Sequence, residues 1–539
     1  MQHSKLIRLY SQMVPALICL ALFFVGCKTV AQTKTVYNLV TDFGAVGDNR
    51  TNNYGAFKRA AATLSGSKNK QLIIPKGIYY IAEYKIHGGS RQNNITNILF
   101  SDVKGLSIQG NGSTIRLNGK FKRSADYKQS GVTYDYAYNN TVCPLAFANS
   151  KAVKIENIHL FGGANEMEKT EGVVEGNCYG IMLLDLKGQE SEDFTINNVH
   201  LKYFATDGLY IAARGKNIKI TNSSSHNNGR QGLSIVKGRN VLVSNSQFDS
   251  TGFTGKYGSH SPAAGIDVEN EGEPEQLDNI SIVNCSFRHN QGFQLVSTAT
   301  SGKVAVDSCY FEDRLKGYGT GFNSVGLYSR NSGISNSIIY GMLQLETAHE
   351  TYRGSEPIYI RNNIIYSGSG GLLSSDYNTP ITITGNIIIM LPKPLANQFF
   401  PFVRNTNAEF SSNVIITHEE KFKVQQSRIT GLMQGVKKTD NNVWLLAAGV
   451  DKKLSRSPKP DPGYYTIAYD GTKTVGRQYY PNNIKNSMAR SAEKNFLDDN
   501  LIEQIFQKGI FTKYNQYKYD KSLISDAAAI RDLLQRNMR

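Results

Sequence analysis

Between Tyr203 and Asn290, this 539-residue chain gathers an unusual density of side chains able to move protons or hold charge. SSHNNGRQG from Ser224 supplies His226 and Arg230, and FTGKYGSHSPAAGIDVEN from Phe253 supplies Lys256, Tyr257, His260, Asp267 and Glu269, with Arg288 and His289 downstream. Such an inventory suits β-elimination from a uronate, which needs a cation on the carboxylate, a base for the C5 proton and an acid for the leaving oxygen. Arg230 would clamp the carboxylate in its planar fork. His260 or Lys256 would be the base and Tyr257 or Tyr210 the acid, with His226 close by in the preceding turn. Asp267 and Glu269 would orient these groups or hold Ca²⁺, a hard cation that prefers carboxylate oxygens. Arg288 and His289 would extend the substrate-binding surface.

Two other readings compete. Asp267 and Glu269, two apart on a strand, stand about 6.5–7 Å apart at Cα, a spacing compatible with the carboxylate pair of a glycoside hydrolase. A non-catalytic glycan-binding surface protein would need only exposed aromatics, which Tyr134, Tyr136 and Tyr138 can supply. Each site residue also has a plain role: His226 and Arg230 sit in an Asn-x-Gly turn, and outward acids on a strand are often merely solvated.

The elements that must position these groups emerge from internal repeats. IENIHL around Asn157 recurs as INNVHL at Asn198, ITNSSS at Asn222, VSNSQF at Asn245 and IVNCSF at Asn284, continuing through Ser308, Asn336, Asn362 and Gly385. The basic period is 23 to 24 residues, lengthened where loops are inserted at 161–177 and 250–264. Asn, poor in strands, recurs at one phase because stacked amides can hydrogen-bond from coil to coil. A second strand starts with glycine in each coil, at Gly180, Gly208, Gly232, Gly265 and Gly292. Its period-two alternation puts Leu209, Leu233, Ile266 and Phe293 inside and Tyr210, Ser234, Asp267 and Gln294 in an outward column.

The ends read differently. Lys5 and Arg8 precede an apolar run from Val14 to Val25, too short to span a bilayer, so residues 1–31 are expected to be a secretory signal. Cys27, in FVGC, would carry a lipid if the signal is of lipoprotein type. The expected product is an exported monomer, in the periplasm or on the outer membrane of a Gram-negative bacterium, touching membrane only through that lipid. The net charge of +16 suits an acidic partner, but 21 Lys and Arg against 11 Asp and Glu fall between Lys421 and Arg539, away from the repeats. No nucleotide loop, zinc spacing or nucleic-acid motif is present, and no cofactor is implied apart from the Ca²⁺ reading. Beyond about residue 445 the repeat fades into helical patterns near 489–508 and 522–536.

TDFGAVGDNRTNNYGAFKRAA from Thr41, followed by QLIIPKGIYYI from Gln71, resembles the opening segment of the pectate-lyase and polygalacturonase superfamily. The resemblance implies an all-β, right-handed, single-stranded parallel β-helix over residues 36–445 with an N-terminal helical cap, and a C-terminal helix-containing extension over 446–539. It implies structural roles for Asp42 and Asp48, and action on carbohydrate without choosing the reaction. The clustered acids of the galacturonidases, NTD, DD and G-x-G-H, are not assembled here, although Asp207-Gly208 opens a strand of the right kind. The DPH signature of alginate epimerases is absent. The expectation is a lyase, or a dehydratase acting on a terminal uronate, with an acidic polysaccharide or oligosaccharide as substrate.

Overall fold

The structure is a computed structural model and describes residues 35–81, 96–117, 142–166, 178–186, 189–252, 262–271, 276–298, 300–313, 324–329, 331–345, 358–367, 372–374, 380–390, 402–403, 407–418, 438–440, 442–447, 464–469, 474–480 and 529. The segment expected to be a signal, with Cys27, the tyrosines at 134, 136 and 138, the loop residues Lys256, Tyr257 and His260, and nearly all of the helical patterns of the tail lie outside them.

The opening segment acts as a lid on the end of the stack. Asp48 accepts hydrogen bonds from the N–H groups of Arg50 and Thr51 and from the Thr51 hydroxyl, and Asp42 accepts from Asn38 N–H, so both acids fold turns as expected. The helix Tyr54–Leu64 then turns Ala56, Phe57, Ala60, Ala61 and Leu64 inward. That spacing of apolar residues places one stripe of the helix against the core.

From there the chain winds into parallel coils. Among the described residues one sheet has eleven strands, running from Thr96–Ser101 to Phe402–Val403, each paired with its counterpart one coil away. A second, larger sheet takes two strands from most coils, such as Lys216–Thr221 and Ser224–His226. The corner between them holds the repeated Asn. All nine positions from Asn157 to Gly385 have φ between 49° and 68°. Left-handed backbone is open to Gly and Asn and costly for most other residues, which is a second reason for the recurring Asn beside the amide ladder. The ladder itself exists in part: Asn198 donates to Asn157 at 2.7 Å and Asn284 to Asn245 at 2.6 Å, whereas Asn222 donates to Asn197.

The interior is a continuous column of aliphatic and aromatic side chains, with Phe248, Phe287 and Phe311 stacked at 5.5 and 4.7 Å on successive coils. Cys178, Cys285 and Cys309 are buried within it as free thiols, and Cys143 is a buried free thiol in a second apolar cluster. Parallel pairing continues past residue 445, since Asn442–Ala447 pairs with Tyr464–Tyr469, and an antiparallel strand, Thr474–Tyr480, closes that edge. Among the described residues no helix is long and apolar enough to cross a membrane.

One expected register is corrected. Leu209, Leu233 and Ile266 do stack inward, but the next residue in their column is Leu295, not Phe293, and Asp267 lies beside Val296, not Gln294. The strand-start position held by Gly208, Gly232 and Gly265 is filled by Gln294 in that coil. Its side chain accepts from Asn290 Nδ2 at 2.8 Å, and Gly292 belongs to the turn, where a Cβ would sit 1.7 Å from Pro262 O.

Candidate functional site

The outward column of the eleven-stranded sheet runs Ala146, Met182, Tyr210, Ser234, Asp267 and Val296. Its first three members are buried with Tyr179 and Val236 in a small apolar cluster outside the sheet, and the Tyr179 and Tyr210 rings meet at 5.4 Å. Polar groups begin where that cluster ends. Glycine is required at the strand starts: a Cβ on Gly208 would lie 2.0 Å from Ser225 Oγ, because the chain turns its corner against the neighbouring coil there.

Asp207, just before Gly208, is fully buried. Arg230, at the same corner one coil on, donates from Nε to Asp207 Oδ1 at 2.9 Å and from Nη2 to Oδ2 at 2.6 Å. The Gln231 N–H and the Ser234 hydroxyl also donate to Asp207, at 3.1 and 2.8 Å. The planar fork expected to grip a substrate carboxylate therefore grips a protein carboxylate. Pairing and four hydrogen bonds are what make a buried charge tolerable.

Gln231 carries the network to the third coil. Its Oε1 accepts the Ala264 N–H and its Nε2 donates to Asp267 Oδ2, both at 2.9 Å. Asp267 is 4% exposed. Burial pushes its carboxyl up to about 8, and the neighbouring Glu269, Asp207 and Glu271 add to the rise against the pull of Arg230. Glu269 and Glu271 follow at the exposed end of the strand, where Tyr210 donates to Glu271 at 3.3 Å. Burial also raises Glu271. The structure thus unites Tyr210, Arg230, Asp267 and Glu269, and adds Asp207, Gln231, Ser234 and Glu271. Of these, the Asp-Gly at 207–208 and the outward place of Ser234 were readable in advance; Gln231 and Glu271 depend on which coil lies beside which.

His226, Arg288 and His289 are placed elsewhere. His226 and Arg288 end short strands of the second sheet, on another side of the coil from Asp267. His226 Nδ1 lies 3.6 Å from Asp249, and burial, then Lys202 and His200, lower the imidazole to about 4. His289 Nε2 is 3.2 Å from Glu312, and Arg288 covers the Tyr310 ring at 5.3 Å. These three residues are corrected from catalytic and substrate-binding partners of Asp267 to a separate cluster. Among the described residues no three His, Cys, Asp or Glu groups converge as a metal ion needs, so the Ca²⁺ reading of Asp267 and Glu269 finds no third ligand there.

The family model for a right-handed beta helix region matches residues 183–314, the coils that build this network. Together with the parallel coils, that match makes the chain a right-handed parallel β-helix. Two relatives from Arabidopsis thaliana are a protein described as a probable polygalacturonase, 23% identical over 290 residues, and an exopolygalacturonase, 25% identical over 298. Those alignments cover 49% and 48% of this β-helix chain, and 55% and 64% of the relatives, so it spans less than two thirds of either. Among solved structures, the pneumococcal surface adhesin PfbA aligns at TM-score 0.44 and 14% identity over 84% of this chain and 97% of its own. Pectate lyase Pel9A aligns at TM-score 0.37 and 15% identity, over 71% and 80%.

Proposed function

We propose that the Asp267 face breaks a glycosidic bond in an acidic polysaccharide, or in an oligosaccharide derived from one, with Asp267 donating the proton to the leaving oxygen. The observation that carries this reading is a carboxyl whose burial pushes it up to about 8, held by Gln231 Nε2 at 2.9 Å and bordered by Glu269 and Glu271. Two neighbouring carboxyl groups are the working parts of glycoside hydrolysis, one as acid and the other as base or nucleophile. Glu269, exposed and two residues on, is the natural second group. Hydrolysis is favoured over elimination because, among the described residues, the cation that acts on Asp267, Arg230, is taken by Asp207. The polygalacturonase relatives support a uronate-containing substrate.

Elimination is the second reading. Lys256, Tyr257 and His260 precede Asp267 by only a few residues in sequence, and an elimination needs the same proton donor once a base has removed the C5 proton. In either case the enzyme would act after export, as a monomer, with membrane contact only through a lipid on Cys27. The deciding experiment incubates the protein with uronate-containing polysaccharides and their oligosaccharides. New reducing ends without the ultraviolet absorbance of an unsaturated uronate mean hydrolysis, and both signals together mean elimination. If no substrate in the panel yields a product that Asp267→Asn abolishes, the catalytic reading fails.

A further inference from the structure

The second sheet carries its own outward column. Register pairs Arg116 with Phe161, Phe161 with Lys202, Lys202 with His226, His226 with Asp249, Asp249 with Arg288, and Arg288 with Glu312, one rung per coil. Coils rise ~4.8 Å, so the seven rungs extend about 29 Å along the axis.

Two atoms in the middle of this column lack partners. Asp249 Oδ1, an acceptor, and Arg288 Nε, a donor, are both buried without a hydrogen bond, on neighbouring rungs. Leaving such groups unpaired costs about 1–3 kcal/mol each, so native proteins rarely do so without a reason. The residues are not sealed in: 19% of the Asp249 side chain and 27% of His226 reach solvent. Both atoms are covered by neighbouring side chains, so a sugar hydroxyl, donor and acceptor at once, pairs with them only when Arg288 swings out from over the Tyr310 ring.

The cations of the column are held against rings: Arg116 over Phe161 at 5.6 Å, Lys202 over Tyr203 at 4.7 Å and Arg288 over Tyr310 at 5.3 Å. Of the acids, Glu312 faces His289 and the Tyr310 hydroxyl. Burial, against the pull of Arg288, raises Asp249 to about 7. The column therefore presents fixed positive charge beside aromatic rings, and the negative charge of Asp249 that opposes it falls as pH drops through about 7. Such a strip attracts a polyanion.

We propose that this column is a second, non-catalytic binding site, on a different face of the coil from Asp267, that holds one strand of acidic polysaccharide along the solenoid axis. The identity of the ligand rests on the acidic substrate of the proposed function; the site does not depend on the chemistry at Asp267.

The test uses full-length protein carrying Asp267→Asn, so that nothing is cleaved, with calorimetric titration and affinity electrophoresis against short and long oligogalacturonates. We expect a binding event for long chains that Arg288→Leu removes and Lys202→Ala weakens about tenfold, the value of one charge-assisted hydrogen bond. Lys202 is exposed, so its variant keeps the test decisive if Arg288→Leu fails to fold. Long-chain binding unchanged in both variants, or absent from the parent, overturns the site, and means that ordered water alone satisfies Asp249 and Arg288. Arg288-dependent binding by a protein that cleaves nothing would keep this site and sink the catalytic reading. Cleavage with no such binding would do the reverse.

Discussion

The Gln231 side chain joins two coils through one amide, accepting from Ala264 N–H and donating to Asp267 Oδ2, each at 2.9 Å. Gln231→Leu removes both bonds while keeping most of the volume. Leaving a buried N–H and carboxyl unpaired should cost about 1–3 kcal/mol in denaturant unfolding. Because the donor loses its anchor, turnover should fall more than substrate affinity. An unchanged kcat would show that Gln231 serves the fold alone.

Asp267 makes the protein's stability depend on pH in a definite direction. Its carboxyl ionises near the usual carboxylate range when unfolded and at about 8 when folded. Between those values the folded state binds the extra proton, so stability declines as pH rises, by at most about 1.4 kcal/mol per pH unit. Asp267→Asn removes that slope. It should match the parent near pH 4 and exceed it near pH 8 in unfolding experiments, while activity is lost.

Activity should fall on the alkaline side as well. A proton donor titrating near 8 predicts that kcat declines above that pH, whichever bond-breaking reaction operates. A rate that stays level well beyond pH 9 would remove Asp267 from the donor role.

Arg230→Ala leaves Asp207 charged, buried and without its ion-pair partner. The expected loss is about 3–5 kcal/mol of stability, seen as a large drop in unfolding midpoint. Had Arg230 served only as a substrate clamp, the variant would keep its stability and raise KM.

At the coil corners, Asn245→Ala should cost about 1–2 kcal/mol because its φ of 51° is left-handed, and Asn245→Gly should cost less. Loss of the Asn284 bond to Asn245 is common to both substitutions, so the difference between them isolates the backbone contribution.

Much of the architecture could be read directly from residue spacing. The DFGA and IPKG segments announce the capping helix and first strands, the Asn period counts the coils, and the alternation puts Tyr210, Ser234 and Asp267 in one column. Reading failed where glycine was taken as the marker, since Gln294 occupies the glycine position of its coil. It failed again at the corner between His226 and Arg230. Three residues separate them in sequence, but those three turn the chain from one sheet to the other, so the histidine faces Asp249 and the arginine faces Asp207. Ion pairing across coils depends on what the neighbouring coil presents, and spacing along a single coil contains no trace of it.

The network from Asp207 through Gln231 to Asp267 takes one residue from each of three successive coils, and each coil touches only its nearest neighbours. Duplicating a coil during evolution would lengthen such a protein without disturbing its ends. A copy inserted between Gln231 and Asp267 would nonetheless erase the chemistry while leaving the fold untouched. A copy added among the later coils would extend the cylinder and spare the reaction. Selection on the reaction should therefore freeze the order of these three coils while leaving the total number free to drift.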